Sequence, residues 1–223
     1  VLSTYANARY DLIQESPWGT VTGTLDSVWT NRQSDTLMAA VGTFWGPLVP
    51  YTNPYNPTGE DAYLTRRLFE TGGRSFTQDA SAWRIVTGLE GELNNGWNWD
   101  VSWYYSRFVD SRIERGFINQ PRVDVILDPA LCAADPECPE VWDPYHTNTL
   151  NQDLQDYILV NHSPVARNIQ KTLQLNLTGD LLGVELPGGP IQWAIGYENR
   201  ETSALYQPDG AATLGMIYFV AGY

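Results

Sequence analysis

The sequence predicts an all-β protein whose antiparallel strands pair in hairpins, and three observations carry that expectation. Apolar and polar residues alternate over several stretches of roughly ten residues, the period at which a strand shows its two faces. These stretches come in pairs, each pair interrupted by a short segment rich in Gly, Asn or Pro, as hairpins require. Nine tryptophans and thirteen tyrosines against two methionines favour pleated, half-exposed surfaces over packed helices.

The first hairpin is expected over about residues 2–32. Ala6, Ala8, Tyr10 and Leu12 alternate with Tyr5, Asn7, Arg9 and Asp11, and Pro17-Trp18-Gly19 sits in a turn at 13–20. Val21, Gly23, Leu25 and Trp29 then alternate with Thr22, Thr24, Asp26 and Thr30. The second hairpin, about 81–110, has the clearest pattern. Trp83, Ile85, Thr87 and Leu89 oppose Arg84, Val86, Glu90 and Glu92; after the turn Asn94-Asn95-Gly96, Trp97, Trp99, Val101, Trp103 and Tyr105 oppose Asn98, Asp100, Ser102 and Tyr104. Trp83, Leu89, Trp99 and Trp103 should therefore share one face, with Arg84, Glu90, Asp100 and Ser102 on the other. The third hairpin, about 167–206, sets Ile169, Leu173, Leu175 and Leu177 against Gln170, Thr172, Gln174, Asn176 and Thr178. A turn over 180–190 leads to Ile191, Trp193, Ile195 and Tyr197, against Gln192, Ala194, Gly196 and Glu198.

The connections are lopsided. Turns within hairpins are short, whereas 34–80 and 113–166, between hairpins, span 47 and 54 residues. Short turns at one end and long loops at the other describe an outer-membrane barrel. Arg84, Glu90, Asp100, Asn176 and Glu198 on the polar face suit a wet lumen, and the aromatic-tipped apolar face suits lipid. The competing architecture is a secreted β-sandwich with its apolar face inside. Long structureless loops weigh against that compact alternative.

Charge excludes one class of partner. Thirteen basic against 26 acidic residues give a net charge of −13, and all the basic residues but Lys171 are arginine. Such a chain is a poor ligand for a phosphate backbone, so no nucleic-acid partner is expected. An apolar content of 43% argues against disorder. The longest apolar run, 216–223, has eight residues, too few for a membrane helix, and no signal peptide pattern opens the sequence. Cys132 and Cys138, in LCAADPECPE, favour a local disulfide over free thiols, which implies an oxidising compartment.

No catalytic constellation stands out, so the protein is not expected to be an enzyme, and neither a cofactor nor a metal site is expected. No G-x-S-x-G elbow is present. His146 and His162 lack metal-ligand spacing and read as solvated loop residues. Asp128, Asp135, Glu137, Glu140 and Asp143 lack the spacing of a calcium loop and read as a solvated acidic surface, with weak divalent-cation binding as the sharper alternative. The segment 113–166 holds nine acidic residues and two arginines, a balance of −7, which disfavours anionic ligands. Arg66, Arg67 and Arg74 lie among Tyr51, Tyr55, Tyr63, Phe69 and Phe76. They are candidate contacts for sugars or carboxylates, with packing of the loop as the plainer reading.

Several segments, taken in order, resemble the barrel of large TonB-dependent outer-membrane receptors of Gram-negative bacteria. They are NPYNPTG (53–59), RRLFETGGR (66–74), WRIVTGLEGEL (83–93), WNWDVSWYYSR (97–107), DPALCAADPEC (128–138) and IQWAIGYENRETSALYQPD (191–209). The chain departs from the pattern at Thr58, where the family usually has an aromatic, and 139–166 matches no part of it. The resemblance implies a barrel of about 22 strands around a plug domain, with a cysteine pair in an extracellular loop. This chain would supply about six of those strands and no plug, a slice of barrel wall. The implied function is energy-coupled uptake of a scarce ligand such as an iron chelate, cobalamin or an oligosaccharide across the outer membrane. The implied partners are outer-membrane lipid, the rest of the barrel and its plug, and the inner-membrane TonB complex reached through that plug. The function from another class is a secreted, aromatic-rich carbohydrate-binding β-sandwich module.

Overall fold

The computed structural model describes residues 1–17 and 19–218. Trp18 of the expected first turn and the end of the apolar run at 219–223 lie outside the described residues. In chain order the elements are β1 (Leu2–Ile13), β2 (Val21–Met38), β3 (Leu48–Val49), β4 (Ala62–Tyr63), a 3-10 turn (Phe69–Thr71), β5 (Arg74–Glu92) and β6 (Asn98–Ile118). There follow α1 (Gln120–Leu127), α2 (Pro129–Ala134), α3 (Gln152–Ile158), β7 (Leu159–His162), β8 (Val165–Leu186), β9 (Gly189–Gln207) and α4 (Gly210–Thr213).

One seven-stranded sheet dominates, in the order β1-β2-β5-β6-β8-β9, with β7 beside β6. All three expected hairpins are present as neighbours in that order. The sheet is open: β1 and β9 are its edges. In the first hairpin Asn7 lies opposite Asp26, Ala8 opposite Leu25 and Arg9 opposite Thr24, so polar meets polar and apolar meets apolar, because directly paired residues share a face. The second hairpin turns where Asn94-Asn95-Gly96 demands it. Gly96 takes a φ of 81°, a region open to glycine at little cost. The Leu93 amide donates to the Trp97 carbonyl at 2.8 Å, and Asn95 Oδ1 accepts from the Trp97 amide at 3.1 Å.

The strands exceed the expected ten residues. The six strands of the hairpins run from 12 to 22 residues, consuming the ends of what read as loops. The third turn contracts from 180–190 to the pair Pro187-Gly188, with Gly189 at φ 117° returning the chain to the sheet.

The chain divides into two compact units. The first comprises Val1–Gln33, Asp79–Asp110 and Ala166–Tyr206; the second comprises Ser34–Gln78, Ser111–Val165 and Gln207–Tyr223. Every buried apolar side chain among the described residues belongs to the second unit. The first unit is sheet with no apolar interior.

The core of the second unit explains a correction. The segment 113–166 is not a structureless loop: it holds three helices around Trp142, which is fully buried with Ile126, Leu127, Leu154 and Ile158. Each helix starts on a side-chain cap. Asn119 accepts from the Arg122 amide, Asp128 from the Ala130 and Leu131 amides, and Asn151 from the Leu154 amide. Pro121 and Pro129 occupy first-turn positions, where a missing N–H costs nothing. Burying each large core side chain stabilises this unit by about 1.5–3 kcal/mol. Asn53 ties the segment 34–80 to this core, donating from Nδ2 to the carbonyls of Leu127 at 2.8 Å and Trp142 at 3.3 Å. Cys132 and Cys138 form the expected disulfide.

Candidate functional site

The sheet of the first unit has two chemically different faces. On one, polar side chains of different strands satisfy each other. Arg9 pairs with Glu90, Arg84 Nη2 lies 3.4 Å from Asp26 Oδ1, Asn176 donates to Asp100 at 2.8 Å, and Gln174 donates to Glu198 at 3.0 Å. The structure thus brings all five sequence-predicted lumen residues into cross-strand or same-strand polar contacts, Arg200 also meeting Glu198 at 2.8 Å. A shallow depression of about 330 Å³ opens on this face, lined by Arg9, Thr22, Glu90, Glu92, Asp100 and Thr178 among others. Its carboxylates outnumber its single cation.

The other face is apolar and uncovered. Trp83 is 43% exposed, Leu89 43%, Trp103 42%, Leu175 37% and Ile195 62%. Aromatic rings gather at two levels along β6. Near the turn, Trp97 meets Trp193 edge to face at 4.9 Å, and its indole N–H donates to the Asp180 carbonyl at 3.0 Å. Gly179 makes that contact possible, since a Cβ there would lie 2.3 Å from the Trp97 ring. Further along, Tyr105 contacts both Trp83 at 5.8 Å and Trp103 at 5.9 Å. The eight residue steps from Trp97 to Tyr105 span about 27 Å along a strand at roughly 3.4 Å each.

The arginines of the second unit hold the fold together. Arg66 crosses the Trp142 ring at 5.4 Å, pairs with Glu70, and donates to the carbonyls of Pro144 at 2.9 Å and His146 at 3.0 Å. Arg67 lies over Phe44 and donates to the Ala40 carbonyl; Arg74 lies over Phe117 and donates to the Ala39 carbonyl. Arg67 and Arg74 thus converge on adjacent carbonyls, and Arg66 clamps a different segment, so the three do not form one cluster. Tyr63, 80% exposed, and Tyr55, 46% exposed, present open rings. Packing explains the guanidinium groups; it does not explain these two rings.

The histidines separate. His146 is exposed and its Nδ1 lies 2.7 Å from Asp143 Oδ2. Burial pushes the Asp143 carboxyl up, but donation from His146 and from the Tyr145 and His146 amides outweighs it and holds the group below the usual carboxylate range. His162, expected to be solvated, is buried at 1% exposure beside Asp209. The Tyr157 hydroxyl donates to Asp135; burial first, then this carboxylate, push the phenol up to about 12. The acidic segment is therefore partly structural. Among the described residues no group of three His, Cys, Asp or Glu side chains is arranged to hold a metal ion, and no helix is long and apolar enough to cross a membrane, which does not bear on strands.

Sequence reasoning missed Trp142, Asn53 and the His162–Asp209 pair. The helix starts were findable: Asn119 and Asp128 precede proline by one or two positions, a cap-then-proline signal, and Val123, Ile126 and Leu127 have helical spacing. No signal marked His162, whose partner lies 47 residues away. No family model, curated protein or solved structure matches this chain.

Proposed function

We propose that the first unit is a section of the wall of a transmembrane β-barrel, from an outer-membrane receptor that carries a scarce ligand inward in a TonB-dependent manner. One observation carries the reading: among the described residues of this 223-residue chain the buried apolar side chains all lie in the second unit, while the large sheet shows lipid-compatible side chains on one face and a satisfied polar network on the other. In water that apolar face would cost about 25 cal/mol for each Å² left exposed; in hydrocarbon the cost vanishes. The two aromatic levels fit interfacial girdles. Tilted by 35–45°, the roughly 27 Å of strand between Trp97 and Tyr105 rises about 20 Å, close to the roughly 25 Å apolar band of such barrels.

On this reading the open edges β1 and β9 are closed by further strands of the same wall, because unpaired edges do not occur in lipid. Arg84, Glu90, Asp100, Asn176 and Glu198 face the lumen and its plug. The second unit lies in water, where Tyr55 and Tyr63 meet the ligand. Passage needs binding and gating with no bond made or broken. The sandwich alternative requires two packed sheets, whereas the described residues form one large sheet and the two-residue ladder β3–β4. Detergent dependence tests the proposal: the folded chain should stay monodisperse only in detergent or bilayers. Folded, monodisperse protein in plain buffer would contradict it.

A further inference from the structure

The segment that follows β9 returns to the second unit and is fastened there at three points. Its far end bonds to the start of α1: the Gln120 amide donates to the Met216 carbonyl at 2.7 Å, and Asn119 bridges Ile217. Its middle packs, with Ala212 and Ile217 buried against Phe117 and flanked by Phe76 and Val160. Its near end is polar. Asp209 caps α4, accepting from the Ala212 amide at 2.9 Å, and accepts from the Ser163 amide at 2.8 Å through Oδ2. The same Oδ2 lies 3.0 Å from His162 Nδ1, without an aligned hydrogen bond. The imidazole is 1% exposed, and its Nε2 is buried with no partner.

We propose that Asp209 and His162 form an acid-released latch that fastens the strap 208–217 to β7. As a carboxylate, Asp209 offers acceptors to two backbone amides and to the imidazole. A proton taken from solvent onto that carboxylate removes the charge and turns one acceptor into a donor facing other donors. A half-buried carboxylate accepting several donors is worth more than a neutral acid in the same place, so the near end of the strap lets go first. The packed middle, held by a few side chains, then frays with it.

Charged groups beside His162 include Glu114 on β6, directly opposite in register, and Asp209 on the strap, with Arg112 of β6 donating from its amide to the nearby Pro164 carbonyl at 3.1 Å. Arg115 on β6 turns to Thr77, and Arg74 at the start of β5 lies over Phe117. Burial raises the Asp209 carboxyl, but donation from the Ala212 and Ser163 amides and the closeness of His162 prevail and hold it below its ordinary range. A group so lowered contributes stability that is present above the ordinary carboxylate range and lost as pH falls through its folded value. Release is therefore expected below about pH 4.

Hydrogen exchange of the intact chain, read by mass spectrometry from pH 7 to 2.5 and corrected for intrinsic rates, tests the latch. Protection of 208–217 should fall at least tenfold below pH 4 while α1 keeps its protection. Asp209→Asn should show the low protection already at pH 7, His162→Gln should lie between, and Glu114→Gln should release at the same pH as the parent. Simultaneous loss in the strap and α1, or a strap protected down to pH 2.5, overturns the proposal. So does wild-type protection in Asp209→Asn or His162→Gln, or loss of the acid response in Glu114→Gln. If Asp209→Asn fails to fold, judged by α1, the titration of the unaltered chain decides alone.

Discussion

Replacing Asn53 with alanine should loosen the second unit through three lost hydrogen bonds. Asn53 is 2% exposed. Its amide donates to the carbonyls of Leu127 and Trp142, and its carbonyl accepts from the Tyr55 amide at 2.9 Å. Leu127 and Trp142 are themselves fully buried, so water cannot readily replace the donor. Each buried group left unpaired costs about 1–3 kcal/mol. Relaxation of the exposed Tyr55 end reduces the sum, and a loss of about 2–4 kcal/mol is expected. Asn53→Asp should cost more, because a carboxylate keeps the acceptor for Tyr55 but presents lone pairs to two carbonyls. Hydrogen exchange at the Trp142 amide, which donates to the Ile126 carbonyl at 2.8 Å, reports the effect locally. At about 1.4 kcal/mol per decade the alanine variant should lose between roughly 30-fold and 1,000-fold of protection. A change under threefold, or an aspartate variant no worse than alanine, would refute the role given to Asn53.

Three further outcomes follow from single contacts. Reducing Cys132–Cys138 should cost about 2 kcal/mol, the value of closing so short a loop in the chain-entropy model, read as faster proteolysis of α2 with helix α1 intact. Gly179→Ala should push the Trp97 ring off Trp193 at an overpacking cost of about 1–3 kcal/mol, seen as a changed tryptophan emission spectrum; an unchanged spectrum counts against the notch. The Tyr157 hydroxyl holds Asp135 below the usual carboxylate range, so that interaction is present above this range and lost as pH falls through the folded value. Tyr157→Phe should shift the Asp135 titration upward by NMR, and an unmoved titration would remove the pair from the account.

Strands and faces were legible because period two survives wherever the two faces of a sheet carry different side chains. Trp83 and Arg84, or Leu175 and Gln174, announce opposite sides without any knowledge of partners. The lengths were not legible, since β5 begins at Arg74 through RSFTQDA, where alternation is weak and cross-strand bonds decide. The turn at Pro187-Gly188 was read too wide because Leu181-Leu182-Gly183 breaks the alternation without ending the strand. The helices of the second unit hid in a segment judged by its charge, although Asn119, Asp128 and Asn151 marked their starts. The arginines make the packing contacts that were the plainer reading of their segment. Arg66, Arg67 and Arg74 find carbonyls and rings 23 to 80 residues away, distances over which sequence spacing carries no information.

The claim that the sheet is a membrane wall rests on neighbouring residues facing different solvents, and labels at positions 174 and 175 test it most directly. Single nitroxides are placed at Gln174 and at Leu175, the chain is folded into bilayers, and accessibility to oxygen dissolved in lipid is compared with accessibility to a water-soluble relaxation agent. The label at 175 should respond to the lipid-borne agent and the label at 174 to the aqueous one. Equal aqueous accessibility at both positions, in folded protein bound to the bilayer, would contradict the account.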